Sequence, residues 1–236
     1  MRKRYFLRYL LDLIVIVVGI TVSFWLNQLS ITNRETKERM KVLNNIEMEI
    51  VDIKKYCDDK LTTWKQDIKI YDLLLSESLD LAELEKLTTS KNRIEFNLIY
   101  YRDFEPPMNR YSSMIHSGDI KFLQSEKLKE LLTNLHTFSL SNIRTTVDYE
   151  KSLKEQLISV LTRQHPELFV AAQNRHIGLE EYSADLHRAI GGNTQLKSTL
   201  LVQMKYFKTR TYLLEMYLYV LEELESELDQ IKKSML

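Results

Sequence analysis

Cysteine, proline and glycine are all scarce in this chain. Cys57 is the single cysteine among 236 residues, which excludes an intramolecular disulfide and a cysteine-rich zinc set. The three prolines (106, 107 and 166) and five glycines (19, 118, 178, 191 and 192) leave long stretches without a helix breaker. Neither residue type occurs between Gly19 and Pro106. Such stretches, rich in Leu, Ile, Glu and Lys, favour long helices. No period-2 alternation is sustained, so strands are not expected. An excess of one charge is also missing: 33 basic residues balance 33 acidic ones. No basic field exists to recruit nucleic acid, and no nucleic-acid partner is expected. HExxH, a phosphate-binding glycine loop, GxSxG and CxxC pairs are absent, so neither a cofactor nor a metal is implied.

What is present is an apolar run near the start. Residues 10–26 carry one charge, Asp12, behind Arg2, Lys3, Arg4 and Arg8. At about 1.5 Å per residue the run crosses most of a hydrocarbon core of roughly 30 Å. It exceeds the h-region of a signal peptide, and no small-x-small cleavage site follows, so residues 1–30 read as an uncleaved signal anchor. Tyr5, Phe6 and Tyr9 at one end, and Trp25 at the other, suit the aromatic belts of the two interfaces. Four basic residues precede the span, while residues 27–33 carry no charge. This bias places the amino terminus in the cytoplasm and the body in the periplasm of a bacterial inner membrane.

Within the span Asp12, Ile16, Gly19, Ser23 and Leu26 follow steps of four and three residues and share one helix face. Gly19 and Ser23 form a small-xxx-small pair that lets a second helix approach, and Asp12 is costly in lipid unless it finds a partner or the interface. The face suits self-association. A competing reading has Asp12 snorkelling while the small residues carry no meaning.

Beyond the span, Leu43, Ile46, Ile50, Ile53, Cys57, Leu61, Trp64, Ile68, Tyr71 and Leu75 recur at helical spacing, opposite a charged face. The row fits either an oligomeric coiled coil or the seam of an intramolecular bundle; a slip between Cys57 and Leu61 favours the bundle. Long helices are expected at about 33–76, 125–165 and 193–233, in a body spanning 31–236. Leu128, Leu131, Leu132, Leu135, Phe138, Ile143, Leu153, Leu157 and Leu161 mark the apolar face of the second. A short helix should end at Gly118, with Ser117 as a cap and Tyr111, Ser117 and Gly118 forming a structural hinge. The class is all-α: a transmembrane helix followed by an elongated antiparallel bundle.

The five histidines are scattered, and His187 reads as part of a solvated face. Arg110 and His116 are separated by five residues, a spacing compatible with HEPN-type helical ribonucleases, where such a pair binds phosphate and does acid–base work. Any Arg near any His satisfies that pattern, and a surface Arg with a partly buried His near a helix end is the favoured reading.

Two segments, RYLLDLIVIVVGITVSFWLN at 8–27 and YSSMIHSGDI at 111–120, resemble a family of uncharacterised bacterial single-pass membrane proteins grouped as a domain of unknown function. In that family an acidic residue stands early in the span, usually Glu where this chain has Asp12. The slot of His116 is usually small or serine, which weakens a catalytic role for it. The resemblance implies a membrane-anchored helical protein and no activity.

The expectation is therefore a non-enzymatic protein that contacts the lipid bilayer and self-associates, or holds another membrane protein. Two alternatives stand beside it: a homo-oligomeric membrane effector or pore, possible in antiviral defence, and a membrane-tethered ribonuclease using Arg110 and His116.

Overall fold

A computed structural model of the chain describes the backbone of residues 2–235 and the side chains of residues 13–235. The fold is all-α, with no strand among the described residues. Helix α1 runs unbroken over Arg2–Leu75. Its 74 residues extend about 110 Å. The absence of proline, and of glycine after position 19, is one reason for that length; the other is a partner over the second half. From Val42 onward the helix buries Leu43, Ile46, Ile50, Ile53, Cys57 and Trp64, each contributing about 1.5–3 kcal/mol of hydrophobic stabilisation.

Four shorter segments lead away from α1: α2 (Leu81–Leu87), α3 (Lys91–Ile99), α4 (Asn109–Ser117) and a 3-10 turn (Asp119–Phe122). Asp80 caps α2 by accepting the Glu83 N–H at 3.0 Å. Gly118 ends α4 in the left-handed conformation, φ 75°. The second long rod is composite: α5 (Glu126–Thr133), a π-helical segment (Asn134–Ser139) and α6 (Leu140–Gln164). Ser125 caps it through the Leu128 N–H at 3.1 Å. Pro166 opens α7 (Pro166–Gln173), where its missing N–H costs nothing. Helix α8 (Leu179–Gly192) continues through both glycines to Asn193, whose Oδ1 accepts the Leu196 N–H and starts α9 (Thr194–Met235).

Ion pairs fix the directions of the rods. Glu47, Lys54, Lys65 and Asp72 of α1 meet Lys232, Glu225, Glu215 and Lys208 of α9 in descending order, so α1 and α9 are antiparallel. Ser125, Glu150 and Gln164 meet Glu227, Arg210 and Gln195, so the α5–α6 rod is antiparallel to α9 and parallel to α1.

Two apolar cores line this three-rod frame. One, nearer the apolar end of α1, gathers Ile46, Ile53, Trp64, Phe104, Leu128, Leu135, Ile143, Leu214, Tyr217 and Leu221. The other gathers Ile70, Tyr71, Leu74, Ile94, Leu157, Leu161, Leu186, Leu200 and Phe207.

Three details differ from the apolar periodicity. Past Trp64 the buried seam of α1 passes through Asp67, Ile70, Tyr71 and Leu74, while Ile68 and Leu75 are only partly buried. The seam turns because Asp67 is recruited by arginines from α3 and the loop after it. Phe138 is 68 % exposed; the π segment inserts one extra residue between buried Leu135 and buried Leu140, which carries Phe138 off the core face. His187 is half-buried on α8 with Nε2 3.0 Å from the Ser76 carbonyl, a tie to the end of α1 rather than a solvated group.

Candidate functional site

Among the described residues, the apolar stretch of α1 from Leu13 to Ile31 buries no side chain against the rest of the molecule. Every side chain from Leu13 to Ile31 is exposed, Ile16 at 58 % and Trp25 at 60 % among them. Ile16, Gly19 and Ser23 line a shallow groove together with Val15, Ile20 and Asn27, and Leu26 lies exposed one turn on. A Cβ added at Gly19 would meet no atom within 4 Å, so the notch is open. The side chains of Tyr5, Phe6, Tyr9 and Asp12 lie outside the described residues. Among those described, α1 is the one helix long and apolar enough to cross a membrane.

Arg110 and His116 both sit on α4, six positions and hence about 120° apart around the helix. The Arg110 guanidinium is held by Asp52 at 2.5 Å, and His116 Nδ1 lies 2.6 Å from the Ser112 carbonyl of its own helix. The helix does not bring the two together. Tyr111, by contrast, is held firmly. Its backbone N–H donates to Glu49 Oε2 at 2.8 Å, and its ring stacks on His136, centroids 3.8 Å apart. Ser117 donates to the Asp119 carboxylate at 2.7 Å, closing the Gly118 turn.

The His136 ring lines a cleft of about 380 Å³ with Glu105, Asn109, Ser112, Thr137 and Arg144. Its Nδ1 is 2.9 Å from the Leu132 carbonyl and its Nε2 is 2.9 Å from Glu49 Oε1. Both nitrogens therefore face acceptors inside the protein, and the ring clamps α1, α4 and the π segment rather than offering a free base to the cleft. Arg144 is likewise engaged, by Glu105 at 2.8 Å.

Between the two apolar cores lies a buried charged layer. Asp67, 4 % exposed, accepts from Arg93 at 3.1 Å, Asn97 at 3.1 Å and Arg102 Nε at 2.5 Å. Glu150 of α6 pairs with Arg210 of α9, and lies 3.9 Å from Lys154. Lys154 donates to the Asn97 carbonyl and to the Tyr71 hydroxyl at 3.2 Å. The Arg210 guanidinium covers the Trp64 ring at 4.3 Å. Burial pulls the Lys154 ammonium down to about 7, with Glu150 opposing that shift and Arg210 adding to it. Burial also lowers Arg210 and holds the Tyr71 phenol well above its ordinary value.

This layer is absent from the candidates that periodicity supplies, because charged residues read as surface. A signal is nevertheless present. Glu150 and Lys154 fall in the row Ile143, Val147, Glu150, Lys154, Leu157; Arg210 falls in Phe207, Arg210, Leu214, Tyr217; Asp67 falls in Trp64, Asp67, Tyr71, Leu74. Charges that keep the 3–4 register of an apolar stripe are candidates for burial with partners. Cys57 is fully buried and its thiol is pushed up to about 12 by desolvation, as expected of a small core residue.

Residues 12–169 match a family model described as a family of unknown function, DUF6090. The match spans the exposed apolar helix, the left-handed turn at Gly118 and the α5–α6 rod. The chain belongs to the DUF6090 family. No curated protein and no solved structure matches it. In this DUF6090 chain, α8 and α9 lie beyond the matched residues, yet α9 supplies Arg210 and Gln203 to the charged layer.

Proposed function

We propose that this DUF6090 protein is a non-enzymatic membrane anchor whose helical body acts by self-association or by holding a partner at the bacterial inner membrane. One observation carries the reading. A single uninterrupted helix joins an apolar, contact-free stretch with an open Gly19–Ser23 notch to the core of the bundle. A rigid helix of that kind transmits the position of a membrane contact to the body, because no hinge intervenes between residues 31 and 42. The amino terminus faces the cytoplasm and the body the periplasm in this reading, following the basic residues before the span.

Three measurements test it. The protein should resist alkaline carbonate extraction of membranes. A reporter at the carboxyl terminus should be active in the periplasm. The detergent-solubilised protein should have a mass above one protomer, or carry a bound membrane protein, and Gly19→Leu should lower that mass by closing the notch. Mature protein in the soluble fraction, trimmed near Asn27, would refute anchoring. A monomer without companions, unaffected by Gly19→Leu, would refute the association.

A further inference from the structure

Directly after the apolar stretch, α1 and the 3-10 turn enclose a polar cleft of about 350 Å³. Thr32, Thr36, Arg39, Lys121 and Gln124 line it. Among the described residues neither Arg39 nor Lys121 takes part in an ion pair, while nearby Lys41, Lys127, Lys129 and Lys232 each have a carboxylate partner. The Arg39 Nε is buried and has no hydrogen-bond acceptor. The Lys121 ammonium rests over the Phe122 ring at 5.2 Å. Both threonine hydroxyls donate to their own helix, at 3.0 Å and 2.9 Å, so the free donors of the cleft are the guanidinium, the ammonium and the Gln124 amide. Arg39 and Lys121, without ion-pair partners, outnumber the one carboxylate of the lining, Glu35, and with the Gln124 amide suit an oxyanion.

The location narrows the ligand. Exposed Ile31 immediately precedes Thr32 at the mouth of the cleft. The polar headgroup layer adds roughly 5–8 Å to each side of the hydrocarbon core. Ile31 lies six residues past Trp25, about 9 Å along the axis and at the outer edge of that layer, and Arg39 lies eight residues, about 12 Å, beyond Ile31. Side chains of a helix lean toward its amino terminus, so the Arg39 guanidinium is carried back toward that layer. Glu35 also lines the cleft and opposes an anion.

We propose that this cleft binds a phosphate-bearing ligand, either the headgroup of an anionic phospholipid or free phosphate. The proposal relies on membrane anchoring only to place Thr32 at the outer edge of the headgroup layer. The full chain in neutral detergent is titrated with short-chain phosphatidylglycerol, short-chain phosphatidylcholine and inorganic phosphate, and binding is read by native mass spectrometry. Phosphatidylglycerol should bind more tightly than phosphatidylcholine. Arg39→Gln and Lys121→Gln should each weaken it about fivefold, the scale of one basic residue at an anionic surface. Glu35→Gln should strengthen it, which a merely unfolded variant would not do. Retention of inorganic phosphate without lipid preference, lost in the double variant, assigns the site to free phosphate. Equal binding of both lipids that survives the double variant, with no phosphate retained, overturns the proposal. Because carbonate extraction is scored separately, failure here is distinguishable from failure of the anchor.

Discussion

Lys154→Met isolates the cost of burying a cation between two apolar cores. The Lys154 side chain is 3 % exposed, and its nearest carboxylate, Glu150 at 3.9 Å, is already committed to Arg210. Desolvation therefore dominates and brings the ammonium from 10.5 to about 7. The unfolded chain binds this proton up to its ordinary value, whereas the folded chain releases it near 7. Between these limits the unfolded state holds more protons, so stability through this group rises with pH across that window, and the full penalty applies below it. At about 1.4 kcal/mol per pH unit, the penalty is roughly 4 kcal/mol at pH 7 and roughly 2 kcal/mol at pH 9. Methionine removes that penalty along with two hydrogen bonds, worth about 1 kcal/mol each. The Asn97 carbonyl keeps the Tyr71 hydroxyl at 2.5 Å, so it is not orphaned. The variant should be about 2 kcal/mol more stable than the parent at pH 7 and about equal to it at pH 9. Equilibrium denaturation of the full chain in mild detergent, followed by circular dichroism from pH 7 to 9, measures this. Tyr71, Tyr182 and Tyr217 are held above their ordinary range by burial, so they stay neutral over that window and add no slope. Parallel pH profiles for parent and variant would refute the reasoning, as would a destabilised variant at pH 7. Either result would mean that the ammonium is charged and well paired.

Three further outcomes are expected. Asp67→Asn leaves Arg93 and Arg102 without their shared counter-ion and should cost about 3–5 kcal/mol, read as a lowered denaturation midpoint; a loss below 1 kcal/mol would show that the arginines find other acceptors. Leu135→Ala should cost about 2–5 kcal/mol, whereas Phe138→Ala, three residues along the same π segment, should change stability by less than about 0.5 kcal/mol; equal losses would contradict the phase shift. Gly118→Ala should cost roughly 1–2 kcal/mol, a backbone cost alone because a Cβ there meets no atom within 4 Å; an unchanged melting temperature would mean the turn relaxes out of the left-handed region.

Much of the helical frame is legible from local pattern. The seam Leu43, Ile46, Ile50, Ile53, Cys57 is buried as its spacing implies, and Gly118 takes the positive φ that suits a helix end. Legibility fails where one element borrows from another. Nothing in the residues around Asp67 announces that Arg93 and Arg102, more than twenty positions away, will converge on it, so Ile68 appears the better core residue. Phe138 fails differently: a single inserted residue in a helix shifts the phase of everything after it, and local propensity does not register one extra residue.

The amino-acid sequence by itself determined that this chain is helical throughout and that one helix is apolar enough to cross a bilayer. Both follow from short-range properties: rotamer freedom, the absence of breakers, and transfer of side chains from water. The tertiary structure decided which charges enter the interior. A carboxylate or ammonium leaves water only when partners surround it, and for Asp67, Glu150, Lys154 and Arg210 those partners come from α1, α3, α6 and α9 at once.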